Sequence, residues 1–379
     1  MKDVAVVIFH PPSGETESER LVDEARRASC RDLIANVRRA GLEPIVVTTP
    51  SGDGDTPFTE VEQFDLPATS GPFHFGESLK YLLAARRPEG LVYFGSGSGF
   101  LLSPSRIERL IGFAGREEAG AVLNNFYSCD FTAVSHARAL LDLDLPVTDN
   151  RLGFVLSDAG LPCWGLERRA DTQFDIDTPT DLHVLGASER GGPDVRTFLR
   201  GLDSAHPSLD ALLALFRDRS ALVGFVGRIS PRTWADVERD IACRTSSLAE
   251  GRGMRAGTAN RPTVLHQALL ESGPEAFFVR LSRAYDGALI DTRPLLSGGA
   301  ELPPANVRFE SDLLRPEKIA DRRWRSFTEC ALTADIPVVL GGHNLLSGGL
   351  YVLAEASWKG RDLARRLHPE PFDPDKERS

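Results

Sequence analysis

Short apolar runs alternate with amphipathic stretches through the first half of this chain, and that rhythm restricts the fold more than any other feature. Residues 4–9 (VAVVIF) read as a buried strand. Over 17–40, Leu21, Ala25, Ala28, Leu33, Ile34 and Val37 recur at helical spacing, and Gly41 sits where a helix C-cap belongs. Residues 44–48 (PIVVT) are the next strand, followed by a Gly/Asp/Pro-rich loop around 51–57 and a short apolar segment near 61–66. Helical spacing over 76–85 precedes a strand at 90–94 (GLVYF). A helix at 104–113 precedes a strand at 119–124, and a short helix follows at 135–141. The expectation is an α/β fold with a mostly parallel central sheet flanked by helices. Ligands in such folds sit at the carboxyl ends of the strands, here just after Phe9, Phe94 and Asn124.

Residues 186–194 (GASERGGPD) have linker composition. Beyond them come strands at 221–226, 288–290 and 337–340. Helices are expected at 231–241, 264–270 and 277–284, with a long one at 316–332. This divides 379 residues into a first domain over 1–190, a second over 195–367 that is α/β or mostly helical, and a charged tail over 368–379. Lys+Arg number 44 against 54 Asp+Glu, a net charge of −10, which argues against duplex nucleic acid as partner. The apolar runs are too short to span a membrane, and the first is too short for a signal peptide. The five cysteines (Cys30, Cys129, Cys163, Cys243, Cys330) form no CxxC pair, so neither a zinc site nor a disulfide framework is expected, and a reducing cytoplasm fits.

The sharpest segment is Phe174-Asp175-Ile176-Asp177-Thr178-Pro179-Thr180-Asp181-Leu182. In extended chain, positions two apart point to one side, so Asp175 and Asp177 suit a shared divalent cation. Thr178 suits the cap of a helix that begins near Pro179, with Asp181 in its first turn. A strand end followed by a capped helix explains the same residues without a ligand.

This segment resembles the D-x-D-T-P-x-D-L stretch of the nucleotide-diphospho-sugar transferase (GT-A-like) superfamily. The closest flavour is the small guanylyltransferases of the 2-phospholactate and molybdenum-cofactor type. The resemblance covers roughly residues 1–190, and only DIDTP is specific. It implies a Rossmann-like nucleotidyltransferase fold, a nucleotide or phosphorylated small molecule as ligand, Mg²⁺ or Mn²⁺ as cofactor, and nucleotidyl transfer with release of pyrophosphate. It further implies that Asp175 and Asp177 are the metal-binding carboxylates of this segment. Two family features are not matched. The loop after the first strand, HPPSGETE, has prolines and acids where the family has glycines and basic residues. The loop after the central strand, Gly95-Ser96-Gly97-Ser98-Gly99, has no Asp.

Other candidates come from the residues themselves. The Gly95–Ser98 stretch exposes backbone N–H groups able to cradle an anion, or makes a plain tight turn. Asn124, Asn125 and Asp130 follow a strand, where polar side chains suit base, sugar or metal recognition. Asp130 is the candidate for the missing carboxylate, and ordinary turn bonding is the alternative. Asp149 is a weaker candidate of the same kind. In the second half, Arg252 and Arg255 lie in a Gly- and Ser-rich stretch that suits a phosphate or carboxylate. His343, in Gly-Gly-His-Asn after a strand, suits an acid–base role. Three functions stay open: a divergent nucleotidyltransferase; a non-catalytic module that keeps the fold; and an enzyme of another class with its site around Arg252, Arg255, Asp291, Arg293, Arg308 and His343.

Overall fold

The structure, a computed structural model, describes residues 3–10, 14–48, 58, 60–66, 73–202, 206–250, 262–297 and 302–360. The first sheet has seven strands: β1 (Val4–His10), β2 (Pro44–Thr48), β3 (Glu62–Asp65), β4 (Gly90–Gly95), β5 (Gly120–Leu123), β6 (Phe131–Ser135) and β7 (Cys163–Gly165). Their order is β3-β2-β1-β4-β6-β5-β7. All neighbours pair in parallel except β6, which runs antiparallel to both β4 and β5. The sheet is mostly parallel, as its sequence rhythm requires.

The period-2 alternation of the strands separates two cores. Val6 and Ile8 of β1 and Val92 and Phe94 of β4 pack on one face with helices Glu17–Arg39 and Pro104–Ala114. Val7, Phe9, Leu91 and Tyr93 pack on the other with helix Phe75–Arg86. Helix Glu17–Arg39 starts in a capping box, Thr16 with Glu19, which satisfies two of its orphan backbone donors.

The second sheet is wholly parallel and has four strands: β8 (Leu222–Gly227), β9 (Arg244–Ala249), β10 (Gly287–Asp291) and β11 (Val338–Gly341), in the order β11-β10-β8-β9. The second half is therefore α/β. The first core runs on without interruption into Val223 and Phe225 of β8, Leu289 of β10 and Val339 of β11. A layer of helices thus lies between the two sheets, including Pro179–Gly186 and Gly348–Ser357.

Four local expectations are corrected. Residues 131–135 form β6, where a connection was expected, because Phe131 and Ala133 on one side and Val134 on the other fit a strand buried on both faces. Residues 244–249 form β9, an edge strand whose polar sequence hides the pattern. The stretch expected as one helix over 316–332 is a short 3₁₀ turn, Pro316–Lys318, then a helix, Arg322–Leu332, whose start is fixed by Asp321 accepting from the Arg323 and Trp324 N–H groups. The linker composition at 186–194 conceals a docked segment. Asp32 of the first helix accepts from the N–H groups of Asp194 and Val195 and caps helix Pro193–Arg200. The two helices expected over 264–284 are present and meet at a kink, where Gly273 (φ 74°) is non-helical and Pro274 follows.

Candidate functional site

The loop after β4 and the Asp175–Asp177 segment are laid against each other at the carboxyl edge of the first sheet. Asp175 forms an isolated antiparallel bridge with Ser98, and the Ile176 N–H donates to the Gly97 carbonyl at 3.1 Å. Gly97 is required here. A Cβ on it would lie 2.5 Å from Asp175 Oδ1 and 3.1 Å from the Ile176 carbonyl oxygen, so any side chain must displace the Asp175 carboxylate. Three of the loop's donors are spent internally: Gly95 N–H on the Asp130 carbonyl, Ser96 N–H on Phe9, Ser98 N–H on Gly95. Of the N–H groups in the expected anion cradle over Gly95, Ser96, Gly97 and Ser98, those of Gly95, Ser96 and Ser98 are thus committed to carbonyls. These residues form the wall on which Asp175 rests.

Asp175 is half-buried and its carboxylate turns back to accept from the Ile176 N–H at 2.9 Å. Asp177 is exposed and pairs with Arg26, whose Nη2 donates to it at 3.2 Å and whose Nε donates to the Ile176 carbonyl at 2.7 Å. Helix Pro179–Gly186 begins as the sequence predicts, with Thr178 and Asp181 in a capping box. Asp181 is wholly buried and accepts from the Asp177 and Thr178 N–H groups.

Asn124 is committed to hydrogen bonds within the fold. Its Oδ1 accepts from the Asp130 and Phe131 N–H groups, and its Nδ2 donates to Asp130 Oδ2 at 2.8 Å and to the Thr172 carbonyl. Its work is to hold Asp130. Asn125 Oδ1 accepts from the Tyr127 N–H and from Arg168 Nη2. Asp149 accepts from the buried Tyr93 hydroxyl at 2.5 Å.

These acids crowd one region. Burial pushes Asp130 up to about 8, with Asp149 and Asp177 adding repulsion against the Asn124 hydrogen bond. Burial and then Asp177 push Asp149 up to about 6. Burial, Asp177 and Asp130 raise Asp175 well above the usual carboxylate range, with Arg26 opposing. Burial and Asp177 hold Asp181 at about 7. Asp177 therefore acts on Asp130, Asp149, Asp175 and Asp181 alike, and only Arg26 is a cation among the principal influences on these four acids.

The second half completes this edge through the turn after β11. Asn344, buried, accepts from the Asp175 N–H at 3.1 Å and donates to Asp181 Oδ1 at 2.8 Å. Next to it, His343 is held neutral, its pKa lowered to about 4 by burial and by the Arg228 charge, with Asp291 and Asp177 opposing. Asp291 and Arg293 are committed to buried bidentate pairs. Arg228 donates to Asp291 at 2.5 and 3.1 Å, and Arg293 to Asp312 at 2.8 and 3.0 Å. Burial alone would raise Asp291; Arg228 overrides it and holds the carboxyl below its usual range. Arg308 Nε is used on the Pro303 carbonyl. Arg252 and Arg255 lie outside the described residues. A site built from Asp291, Arg293 and Arg308 is thus already occupied by structural partners. Cys129, beside Asp130, is buried and its thiol is raised by burial and by Asp149, which suits packing and no nucleophile.

Among the described residues no group of three or more His, Cys, Asp or Glu is gathered to hold a metal ion unaided. The donors nonetheless fit one. They are hard carboxyl oxygens crowded enough to repel one another, and magnesium beside a nucleotide is usually held by one or two carboxylates, water and phosphate oxygens. No helix of the described residues is long and apolar enough to cross a membrane.

No protein-family model matches the chain, and no curated protein sequence matches it. Solved structures with a similar fold include a nucleotidyl transferase from Methanothermobacter thermautotroptrophicus, with 15% identity and a TM-score of 0.39 over 53% of this chain and 99% of that one. A cytidylyltransferase from Leptospira borgpetersenii has 12% identity and a TM-score of 0.39, over 54% of this chain and 100% of its own. A Mycobacterium tuberculosis protein solved in complex with manganese has 15% identity and a TM-score of 0.29, over 44% of this chain and 87% of its own. The likeness is one of fold, over about half of the chain.

Proposed function

We propose that this chain is a nucleotidyltransferase-like enzyme that binds a nucleotide or phosphorylated small molecule, with a divalent cation, at the carboxyl edge of its first sheet. The observation that carries this reading is the acidic cluster there, with Asp175 built into the glycine loop and Asp177 beside it. Asp175 and Asp177, with Asp130 behind them, are the residues that would hold Mg²⁺ or Mn²⁺. Such an ion, when bound, screens phosphate oxygens as charge develops on a leaving pyrophosphate. The chain's own residues do the rest. Arg26 ties the acidic segment to the first helix and supplies a positive charge beside the phosphates. Gly97 lets the segment approach the loop. Asn344 fixes the Asp175 backbone from the second sheet. His343, held neutral in the turn after β11, is the residue we assign to accept a proton from an acceptor hydroxyl or phosphate.

Calorimetric titration of the protein with GTP, CTP, ATP and UTP in the presence of Mg²⁺ tests the binding. Heat with at least one, lost in Asp177→Asn, is expected. A folded sample that gives none with all four ends the proposal. A second reading, a binding module without turnover, is favoured by the first loop, which has no Lys or Arg. Pyrophosphate release over a panel of phosphorylated acceptors separates the two, since steady turnover eliminates the module.

A further inference from the structure

Open α/β sheets receive ligands where the strand order reverses, outside the carboxyl ends of the strands. In the first sheet that point lies between β1 and β4, because the chain builds out through β2 and β3 on one side of β1 and resumes with β4 on the other. The side chains that meet there are His10, the last residue of β1, and Ser96, the first after β4. His10 Nδ1 lies 3.0 Å from Ser96 Oγ. Behind the ring, His10 Nε2 is 3.4 Å from Asp23 Oδ1, and Arg27 Nε donates to Asp23 Oδ2 at 3.0 Å. His10, Ser96 and Asp23 are all buried, and the Phe58 ring meets the imidazole edge-on.

Asp23 faces Nε2 at ion-pair distance without hydrogen-bond geometry, so we assign the ring hydrogen to Nε2 and leave Nδ1 to take the Ser96 hydroxyl hydrogen. Among the described residues, the charged groups facing the ring are Asp23, Arg27 and Arg26, all from helix Glu17–Arg39, and the turn after β4 contributes the neutral Ser96 hydroxyl. Burial and the two guanidinium groups outweigh Asp23 and keep the ring neutral, with a midpoint of about 4. An anion in the crevice reverses that balance, since it both screens the arginines and accepts from Nδ1.

We propose that His10 and Ser96 form a phosphate contact at this switch point. An entering phosphate frees Nδ1 from Ser96. The ring takes one proton from solvent and donates Nδ1–H to a phosphate oxygen, while Nε2–H keeps facing Asp23. No covalent bond forms or breaks. The contact rests on the proposed function and deepens it. With Arg26 and Arg27 from the following helix, it supplies the positive charge that the loop after β1 lacks. Its chemistry fits a phosphate monoester or polyphosphate, whether free or carried by a nucleoside.

The test measures protons. The full chain is titrated at pH 7 with Mg²⁺ and each nucleoside triphosphate, and separately with inorganic triphosphate, in Tris and in PIPES, whose heats of ionisation differ. Wild type is expected to take up close to one proton more than His10→Gln; the phosphate's own proton is common to both and cancels. Between pH 5 and 7, wild-type affinity relative to that variant falls about tenfold per pH unit, because the bound form holds a proton that the free form lacks. Binding of the nucleotides but not of inorganic triphosphate assigns the contact to a nucleoside-borne phosphate. Equal proton counts in wild type and variant overturn the proposal while leaving nucleotide binding intact. Absence of binding by every phosphate compound overturns both readings. If His10→Gln does not fold, the His10 ring resonances in wild type decide. Added triphosphate should move them to the imidazolium position, and unmoved resonances in a bound sample refute the contact. Ser96→Ala should keep the proton uptake.

Discussion

Asp130→Asn should stabilise this protein in alkaline solution. The folded chain keeps a proton on Asp130 up to about pH 8, whereas an unfolded carboxyl releases it near its ordinary value of 3.8. The stability from this group is therefore full below pH 4, declines as pH rises, and is gone above about 8. Each pH unit crossed in that window costs about 1.4 kcal/mol, so the upper bound at pH 7 is about 4 kcal/mol. Asp149 and Asp177 share in the repulsion, and about half of that bound, ~2 kcal/mol, is the amount a single neutral substitution should recover. The amide keeps the shape and can still accept from Asn124 Nδ2. Urea unfolding followed by circular dichroism at pH 5, 6, 7 and 8 with EDTA present is the assay. Wild type should lose stability from pH 5 to 8, and Asp130→Asn should lose about 0.7 kcal/mol less per pH unit. Parallel curves for the two proteins, or a wild type that gains stability with pH, would refute the reasoning.

Asn344→Ala leaves the Asp175 N–H and Asp181 Oδ1 without their buried partner, and should cost about 2–4 kcal/mol in the same urea assay. Gly97→Ala forces Asp175 Oδ1 away from a contact of 2.5 Å. It should weaken Mn²⁺ binding, read by paramagnetic resonance, at least about tenfold, with far-ultraviolet dichroism unchanged. Arg228→Ala strands the buried Asp291 carboxylate and should destabilise by about 3–5 kcal/mol, with the loss largest above the ordinary Asp range, where that group must ionise. Asp177→Asn removes a charge that acts on Asp149, so the Asp149 carboxyl followed by nuclear magnetic resonance should titrate below its present midpoint of about 6; an unchanged midpoint contradicts the shared cluster.

Local pattern made much of this legible. The strands β1, β2, β4 and β5 could be read because residues buried on both faces form continuous apolar runs. The capping of helix Pro179–Gly186 could be read because Thr, Pro and Asp at those positions have a local geometric reason. The acids of the DIDTP segment stood out by their spacing. Strand β9 did not, since an edge strand with polar residues carries little periodic signal. Asp149 could be noticed only as a loop acid, and His10 only as an isolated histidine. Their partners, Tyr93 at a separation of 56 residues and Ser96 at 86, are joined by sheet pairing that no local pattern encodes.

The sequence by itself determined the α/β class and the order of most elements, because hydrophobic periodicity and end-capping act within a few residues. It also marked Asp175 and Asp177. Only the tertiary structure decided what those acids feel: that Asn124 is turned to Asp130, that Asn344 reaches across from the second sheet to Asp175 and Asp181, and that Arg228 and Asp291 neutralise each other. Burial and charge repulsion are sums over neighbours distant in sequence, and those neighbours exist only once the two sheets have packed on their shared helical layer.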